Sequence, residues 1–349
     1  MRRCSNNARV LESRNPVPEW TRRRDLRGVD HLEAWKKRVG SQVPDPNALV
    51  TAAERRRLLE ANSAAARFYR RELFRGRRTW ARTHLQAGGA HEVLAREAKW
   101  WVGYAPDARS RLVDHLRSQR FDLATVQKAG LGVRDPDGRV VDRFRDQLML
   151  PARNEHSTVV GFIGLRQGEG GVYYTRSPDT SIHRRSESLV GLAEQGDLLD
   201  GGALPVLVND PLDALAIERV SRLTGGRWIG VPLCDAVLSA QQAVLLSAHS
   251  ATDTVVVWIM DPGAARRTVQ DFLPELAKTF QRVHAVELSS GHSPASLWLS
   301  DGGQQRLHSQ LLRTRPLADY RHSRQVRAAT TRRIEPPAPD IPEGPSLDL

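Results

Sequence analysis

A continuous apolar run followed by a helical pattern occurs repeatedly in the second half of the chain, and this repeated unit most constrains the fold. Runs of four to six apolar residues predict strands that are buried on both faces. The predicted strands are a run of four apolar residues around Leu207 and the residues 227–231, 255–260 and 283–288, with helical patterns at 214–223, 238–247 and 264–280. Strands that alternate with helices form parallel sheets, so the chain is predicted to contain a doubly wound α/β region.

Polar side chains follow two of these predicted strands. Asn209 and Asp210 come directly after the first strand, and Asp261 follows the strand at 255–260. Ligands of doubly wound sheets bind at the carboxyl ends of the strands. The sequence therefore predicts a functional site at this edge, close to the first turn of the helix that begins near Pro211.

Several short sequence blocks upstream of this region occur in a characteristic order. They are Gly103-Tyr104-Ala105-Pro106, Ala129-Gly130-Leu131, Asp142-Arg143-Phe144-Arg145-Asp146, Gly161-Phe162-Ile163-Gly164, Ser177-Pro178-Asp179-Thr180 and Gly191-Leu192. Pro211-Leu212-Asp213-Ala214-Leu215 and Asp261 complete the series. From about residue 102 to 299, the chain resembles the catalytic core of bacterial replicative DNA primases, whose C-terminal half is a TOPRIM domain.

The resemblance implies an α/β fold in which a mixed α+β N-terminal subdomain precedes a doubly wound TOPRIM subdomain. The predicted organisation is a basic tail at 1–47, a helical and then mixed subdomain at 48–198, the TOPRIM domain at 199–300, a helical segment at 301–334 and a proline-rich tail at 335–349. The basic tail carries short arginine and lysine runs among prolines, a composition typical of disorder.

The family's chemistry uses carboxylates to hold Mg²⁺ or Mn²⁺ during nucleotidyl transfer. The resemblance implies Asp213, Asp261 and Asn209 as catalytic residues, with Asp213, Asp261 and Asp210 as metal ligands. The set is depleted, because Asn209, Ile259 and Ser293 stand where the family has acidic residues. The alternative for Asp210 is a helix N-cap ahead of Pro211, and for Asp213 and Asp261 a surface or capping role.

The resemblance also implies a groove for single-stranded DNA. The matching positions are Arg143, Arg145, Arg166, Tyr173 and Arg184. Arginines contact phosphates, and Tyr173, which replaces a family lysine, can stack on a base. The alternative is that these arginines are solvated surface charges.

All of the net charge of +12 lies in the first 100 residues, and the rest of the chain is balanced. Such an asymmetry indicates attachment to a polyanion. Within this third, residues 51–74 form a helical pattern in which Arg55, Arg56, Arg67 and Arg71 lie largely off the apolar side. The helix is interpreted as one that packs on the core and exposes a solvated basic face.

Cysteine content excludes a zinc ribbon within this sequence, because Cys4 and Cys234 are the two cysteines and a ribbon needs three or four. No zinc is expected. The absence of a paired-cysteine framework and of any apolar run of about 18 residues predicts a cytoplasmic protein without membrane association.

The leading hypothesis is a primase-like protein of DNA replication, for example of a plasmid or mobile element, that binds single-stranded DNA and joins nucleotides if active. A replicative helicase is a possible partner. The alternative is a catalytically inactive primase-fold protein that only binds DNA. A TOPRIM nuclease is a third hypothesis, which the blocks before Thr180 disfavour.

Overall fold

The structure is a computed structural model that describes residues 49–75, 79–154, 156–168, 171–234, 237–259, 265–287 and 292–321. The predicted tails at 1–47 and 335–349, residues 322–334 of the predicted helical segment 301–334, and the predicted site residue Asp261 lie outside the described residues. No helix within these ranges combines the length and apolar character that a membrane span requires.

The N-terminal half of the described chain is built on a four-stranded antiparallel sheet. Its strands are β1 (Gly103–Ala105), β4 (Gln147–Arg153), β5 (Val159–Gly168) and β6 (Gly171–Arg176), in that spatial order. A small hairpin of β2 (Gly132–Arg134) and β3 (Val140–Asp142) stands beside it. The helices of this half are α1 (Ala52–Arg75), α2 (Trp80–Ala87), α3 (Arg111–Ser118) and α4 (Leu123–Lys128).

The C-terminal half is a five-stranded sheet with helices on both faces. The strands are β7 (Leu204–Val208), β8 (Trp228–Pro232), β9 (Thr254–Ile259), β10 (Arg282–Glu287) and β11 (Arg315–Pro316), in the order β11-β10-β9-β7-β8. The pairings among β7 to β10 are parallel, and β11 is antiparallel. The helices are α5 (Gly196–Asp200), α6 (Pro211–Leu223), α7 (Ala240–His249), α8 (Ala265–Leu276), α9 (Pro294–Trp298) and α10 (Gly303–Leu311). The predicted fold class is confirmed.

Side chains along β4 and β5 point alternately to the two faces of the first sheet, so both faces carry buried apolar residues. Met149 and Phe162 face α1 and pack with its buried residues. Leu148 and Leu165 face the other way, into a cluster shared with β7, β9, α6 and α10. Successive side chains of a strand point to opposite faces, so each strand contributes to both layers. The first sheet is therefore held between α1 and the α6 side of the second sheet.

One helix begins later than the sequence pattern predicts. The pattern runs from residue 106 to 119, whereas α3 begins at Arg111. The carboxylate of Asp142, which is 2% exposed, accepts hydrogen bonds from the backbone N–H groups of Leu112 and Val113, both at 2.9 Å. A long-range cap of this kind satisfies the unpaired N–H groups of the first turn and fixes where the helix begins. Burial raises the pKa of Asp142 to about 6, although both backbone bonds oppose that shift.

We predict that Asp142→Asn removes part of the pH dependence of stability. In the unfolded chain the carboxyl loses its proton near pH 3.9, whereas the folded chain keeps it up to about pH 6. The folded state therefore binds more protons in this window, and this contribution to stability is lost as the pH rises from about 4 to 6. The loss amounts to about 2–3 kcal/mol.

Urea unfolding between pH 4 and 7.5 measures this effect. The control is Asp271→Asn, at an exposed position. Its free energy of unfolding is expected to change with pH in the same way as that of the wild type. An Asp142→Asn protein with the same slope as the wild type would contradict the assignment.

Candidate functional site

Three of the predicted polar residues lie at the carboxyl edge of the second sheet. Asn209 follows β7 and is exposed, Asp210 is half-buried, and Asp213 lies in the first turn of α6 with 2% exposure. Ile259, at the end of the neighbouring strand β9, is buried and apolar. The structure therefore places the predicted residues at the expected edge, but their side chains differ in environment.

Asp210 is the N-cap of α6, so the capping interpretation is confirmed. Its Oδ1 accepts a hydrogen bond of 2.7 Å from the backbone N–H of Leu212, and Pro211 occupies the first helical position. Its Oδ2 accepts a second bond of 2.6 Å from the hydroxyl of Tyr174 on β6. Burial, followed by the charge of Asp210 and this hydrogen bond, raises the pKa of Tyr174 far above its ordinary value. Asp210 thus joins the two sheets as well as capping a helix.

Asp213 caps a different helix, which lies 80 residues further along the chain. Its Oδ1 accepts a hydrogen bond of 2.9 Å from the backbone N–H of Ala295 in α9, and the side chain of Ser293 also bonds to it. Burial raises the pKa of Asp213 to about 6; the bonds to Ala295 and Ser293 oppose this rise and the charge of Asp210 adds to it. This carboxyl is buried and its polar atoms are directed at a helix N-terminus.

The donor set of the described residues does not fit a two-metal site. Mg²⁺ and Mn²⁺ need several oxygen ligands that are ionised and free to turn toward the ion. Within the described ranges, no group of three or more Asp, Glu, His or Cys residues is placed to hold a metal. Asp210 and Asp213 each accept two hydrogen bonds, and Asn209 carries no charge.

The predicted DNA groove begins at a short loop between β3 and β4 that is held from several sides. The N–H of Arg143 donates to the carbonyl of Leu131 at 3.0 Å. Asp146 has a left-handed backbone with φ of 51°, and its carboxylate accepts bonds from Trp80 Nε1 at 2.7 Å and the Tyr104 hydroxyl at 2.6 Å. These anchors give the loop a defined shape and hold the arginine in one place.

Two guanidinium nitrogens of Arg143 are buried, and no described carboxylate forms an ion pair with them. Its Nε and Nη2 are buried and have no hydrogen-bond partner among the described residues. Burial, with the positive charge of Arg185 as a lesser cause, lowers the pKa of Arg143 to about 10, which leaves it charged at neutral pH. Buried charges are normally paired, so this group is placed to accept an anion.

The other predicted groove residues differ in their surroundings. Arg166 on β5 and Tyr173 on β6 are direct cross-strand partners, and both are exposed. Arg145 is half-buried and donates to the carbonyl of Asp142 at 3.3 Å. Arg184 is half-buried at the start of a short 3-10 turn. The structure therefore brings Arg166 and Tyr173 together, while Arg143 lies beside a residue that was not predicted.

Sequence reasoning missed three neighbours of these residues. Arg185, and not Arg184, is the charge that acts on Arg143, and Arg176 on β6 donates to the carbonyl of Leu233 at 2.5 Å. His183 is 5% exposed, and burial lowers its pKa to about 4, with Arg185 and Arg176 acting in the same direction and Asp179 against it. Adjacent arginines carry no sequence signal that tells which one faces the groove.

Comparison with known proteins matches this architecture to one family. Residues 68–196 match the DNA primase catalytic core, N-terminal domain. The DNA primase of Deinococcus radiodurans is 28% identical over 272 residues, which are 78% of this chain and 45% of the relative. The chain spans about half the length of the curated relatives it matches.

Solved structures give the same result. A DNA primase domain from Pseudomonas aeruginosa has a TM-score of 0.62 and 26% identity, covering 78% of this chain and 83% of that domain. A DnaG primase catalytic domain bound to ssDNA has a TM-score of 0.60 and 22% identity, covering 83% and 89%. The chain is therefore a relative of the bacterial DNA primases: residues 68–196 belong to the N-terminal domain of the primase catalytic core, and the described residues share the fold of that core.

Proposed function

We propose that this protein is a primase-like protein of DNA replication that binds single-stranded DNA. The observation that carries the proposal is the buried guanidinium of Arg143, whose Nε and Nη2 have no partner among the described residues. A phosphate would complete these donors with charge-assisted hydrogen bonds, which are the strong class of such bonds. The solved primase domain bound to ssDNA, which has this fold, supports the same ligand.

The proposed path of the strand follows the features around Arg143. Arg185 adds positive charge beside it, and Arg166 with Tyr173 offers a phosphate contact next to an exposed ring. Phosphate contacts position a strand, and stacking on an aromatic ring tolerates any base. Binding of this kind is independent of sequence and weakens steeply as salt rises. Arg145 and Arg184 extend the same set of phosphate contacts.

Replacing Arg143 by Met tests this proposal directly, because Met keeps the length of the side chain and removes the charge. We predict that the affinity for labelled single-stranded DNA falls about ten- to hundredfold, as expected for one hydrogen-bonded charge. The free energy of unfolding should stay equal or increase, since a buried unpaired charge is removed. Fluorescence anisotropy and urea unfolding measure the two quantities.

Arg313→Ala, an exposed position after α10, is the matched control and should retain wild-type affinity. Loss of stability without loss of affinity in Arg143→Met would identify a structural arginine instead and would contradict the proposal.

Metal-dependent primer synthesis is the finer part of the function, and a second candidate competes with it. The second candidate is a primase-fold protein that binds DNA without joining nucleotides. It is favoured by the hydrogen bonds of Asp210 and Asp213, which serve helix N-termini and Tyr174. Nucleotidyl transfer would need Asp261, with Mg²⁺ or Mn²⁺ as the cofactor and nucleotides as substrates.

De novo primer synthesis on single-stranded DNA separates the two candidates. The assay uses labelled ribonucleotides with Mg²⁺ or Mn²⁺, and compares the wild type with Asp261→Ala. Products that depend on Asp261 would establish nucleotidyl transfer. No products together with retained DNA binding would identify a protein that binds DNA without joining nucleotides.

Asp213→Ala tests the structural role of the second carboxyl. We predict a decrease of about 1–3 kcal/mol in the free energy of unfolding, because the buried N–H of Ala295 loses its acceptor. The decrease should be the same in EDTA and in Mg²⁺. A decrease seen only in Mg²⁺ would show that the wild-type carboxylate binds the ion.

A further inference from the structure

A basic groove lies along the outer side of α1, away from the second sheet. It has a volume of about 540 Å³ and is lined by Arg56, Leu59, Glu60, Ser63, Arg67, Gln119, Phe121 and Thr158. Helix α1 covers the face of the first sheet that carries Met149 and Phe162, whereas the second sheet lies on the opposite face. The groove is therefore separate from the edge that carries Asp210 and Asp213.

Two arginines in this groove, Arg56 and Arg67, have no acidic partner among the described residues. Within the described ranges, no carboxylate lies within ion-pair distance of Arg56 or Arg67, and both are exposed. The neighbouring Arg57 is occupied: it pairs with Glu60 at 3.0 Å and stacks over the Phe121 ring at 3.9 Å from its centroid. Glu60 is the one acidic residue that lines the groove, and it is paired with Arg57, so the groove carries an excess of positive charge.

Helical geometry aligns the two guanidinium groups. Arg56 and Arg67 are eleven residues apart, which is about three turns plus 20°, so they lie on one side of the helix about 17 Å apart. Arg71 follows Arg67 by four residues, and like charges at this spacing destabilise a helix slightly. The ring nitrogen of His115 contacts Arg71 at 2.8 Å. A row of arginines with no ion pair to a described carboxylate is what a linear polyanion would stabilise.

The helix that lines the groove also contacts a loop of the proposed DNA site. Arg55 Nη1 donates to the carbonyl of Ser181 at 2.9 Å, so the first turn of α1 touches the segment that leads to Arg184 and Arg185. Arg185 is one of the charges along the proposed path of the strand. The polar groups of the groove, Ser63, Gln119 and Thr158, are of the kind that contacts phosphate and sugar without reading sequence.

We propose that the α1 groove is a second binding site for the sugar–phosphate backbone of DNA, which holds the nucleic acid beyond the strand bound at Arg143. This inference rests on the proposed function for its ligand class. The ligand is either the continuing single strand or an adjoining duplex, and both present the same phosphates. Over 17 Å, a duplex carries about five base pairs, so both arginines reach phosphates of one bound segment.

The test uses the full chain and the double variant Arg56→Ala/Arg67→Ala. Three probes are compared by anisotropy over a range of salt: a six-nucleotide strand, a twenty-nucleotide strand, and a twelve-base-pair duplex with a six-nucleotide tail. We expect wild-type affinity for the six-nucleotide strand, and weaker binding of at least one longer probe with a smaller salt dependence. The slope of log affinity against log salt should fall by about 1.4 for a single strand or about 1.8 for a duplex.

The control variant Arg306→Ala/Arg313→Ala removes the same charge from exposed positions of α10 and the residues after it. It should leave all three probes unchanged. If the double variant bound both longer probes with wild-type affinity and wild-type salt dependence, this proposal would be overturned and the proposed function would stand. An equal loss of affinity in the control variant would have the same meaning. If the wild-type protein bound none of the probes, the proposed function would fail as well.

Discussion

The burial of one face of the first sheet against the α6 side of the second sheet determines the geometry of every site in this protein. Leu148 and Leu165 enter the same apolar cluster as Val206 and Trp258, so the two halves cannot separate without exposing a shared core. Polar contacts then form at the rim of that cluster. Tyr174 bonds to Asp210, Arg176 to the carbonyl of Leu233, and Trp100 to Glu218. Hydrogen bonds of this kind add specificity to a position that apolar burial has already set.

Helix N-termini bind two carboxylates of the predicted site, Asp210 and Asp213, as well as the buried Asp142. Asp142, Asp210 and Asp213 each accept from a backbone N–H in the first turn of a helix. Where the side chain is buried, as in Asp142 and Asp213, burial raises the pKa to about 6. Asp210 and Asp213, which resemble part of a catalytic set, therefore also stabilise the fold.

The sequence predicted the elements well, because apolar periodicity is strong in buried strands and in helices such as α1. It also predicted the edge at which Asn209, Asp210 and Asp213 lie, since the ends of parallel strands meet there. It could not predict the start of α3 or the partner of Asp213. Both depend on contacts between residues about 30 and 82 positions apart, Asp142 with Leu112 and Asp213 with Ala295. The division of the chain into domains and the role of Asp261 stay predictions.

Arginine is abundant in this chain, and its environment separates structural arginines from those available to a ligand. Arg57 and Arg222 are paired with carboxylates, and Arg70 is buried with its guanidinium bonded to the carbonyls of Val93 and Val102. Arg143 and Arg67 differ, because no described carboxylate neutralises them. Arg143 is buried in a loop that is held from several sides and suits a single phosphate. Arg67 lies in an open groove and suits the flexible backbone of a nucleic acid. An unpaired guanidinium gains the most binding energy from charge-assisted hydrogen bonds to a phosphate. The affinity for DNA should therefore depend on these few positions and not on the total charge.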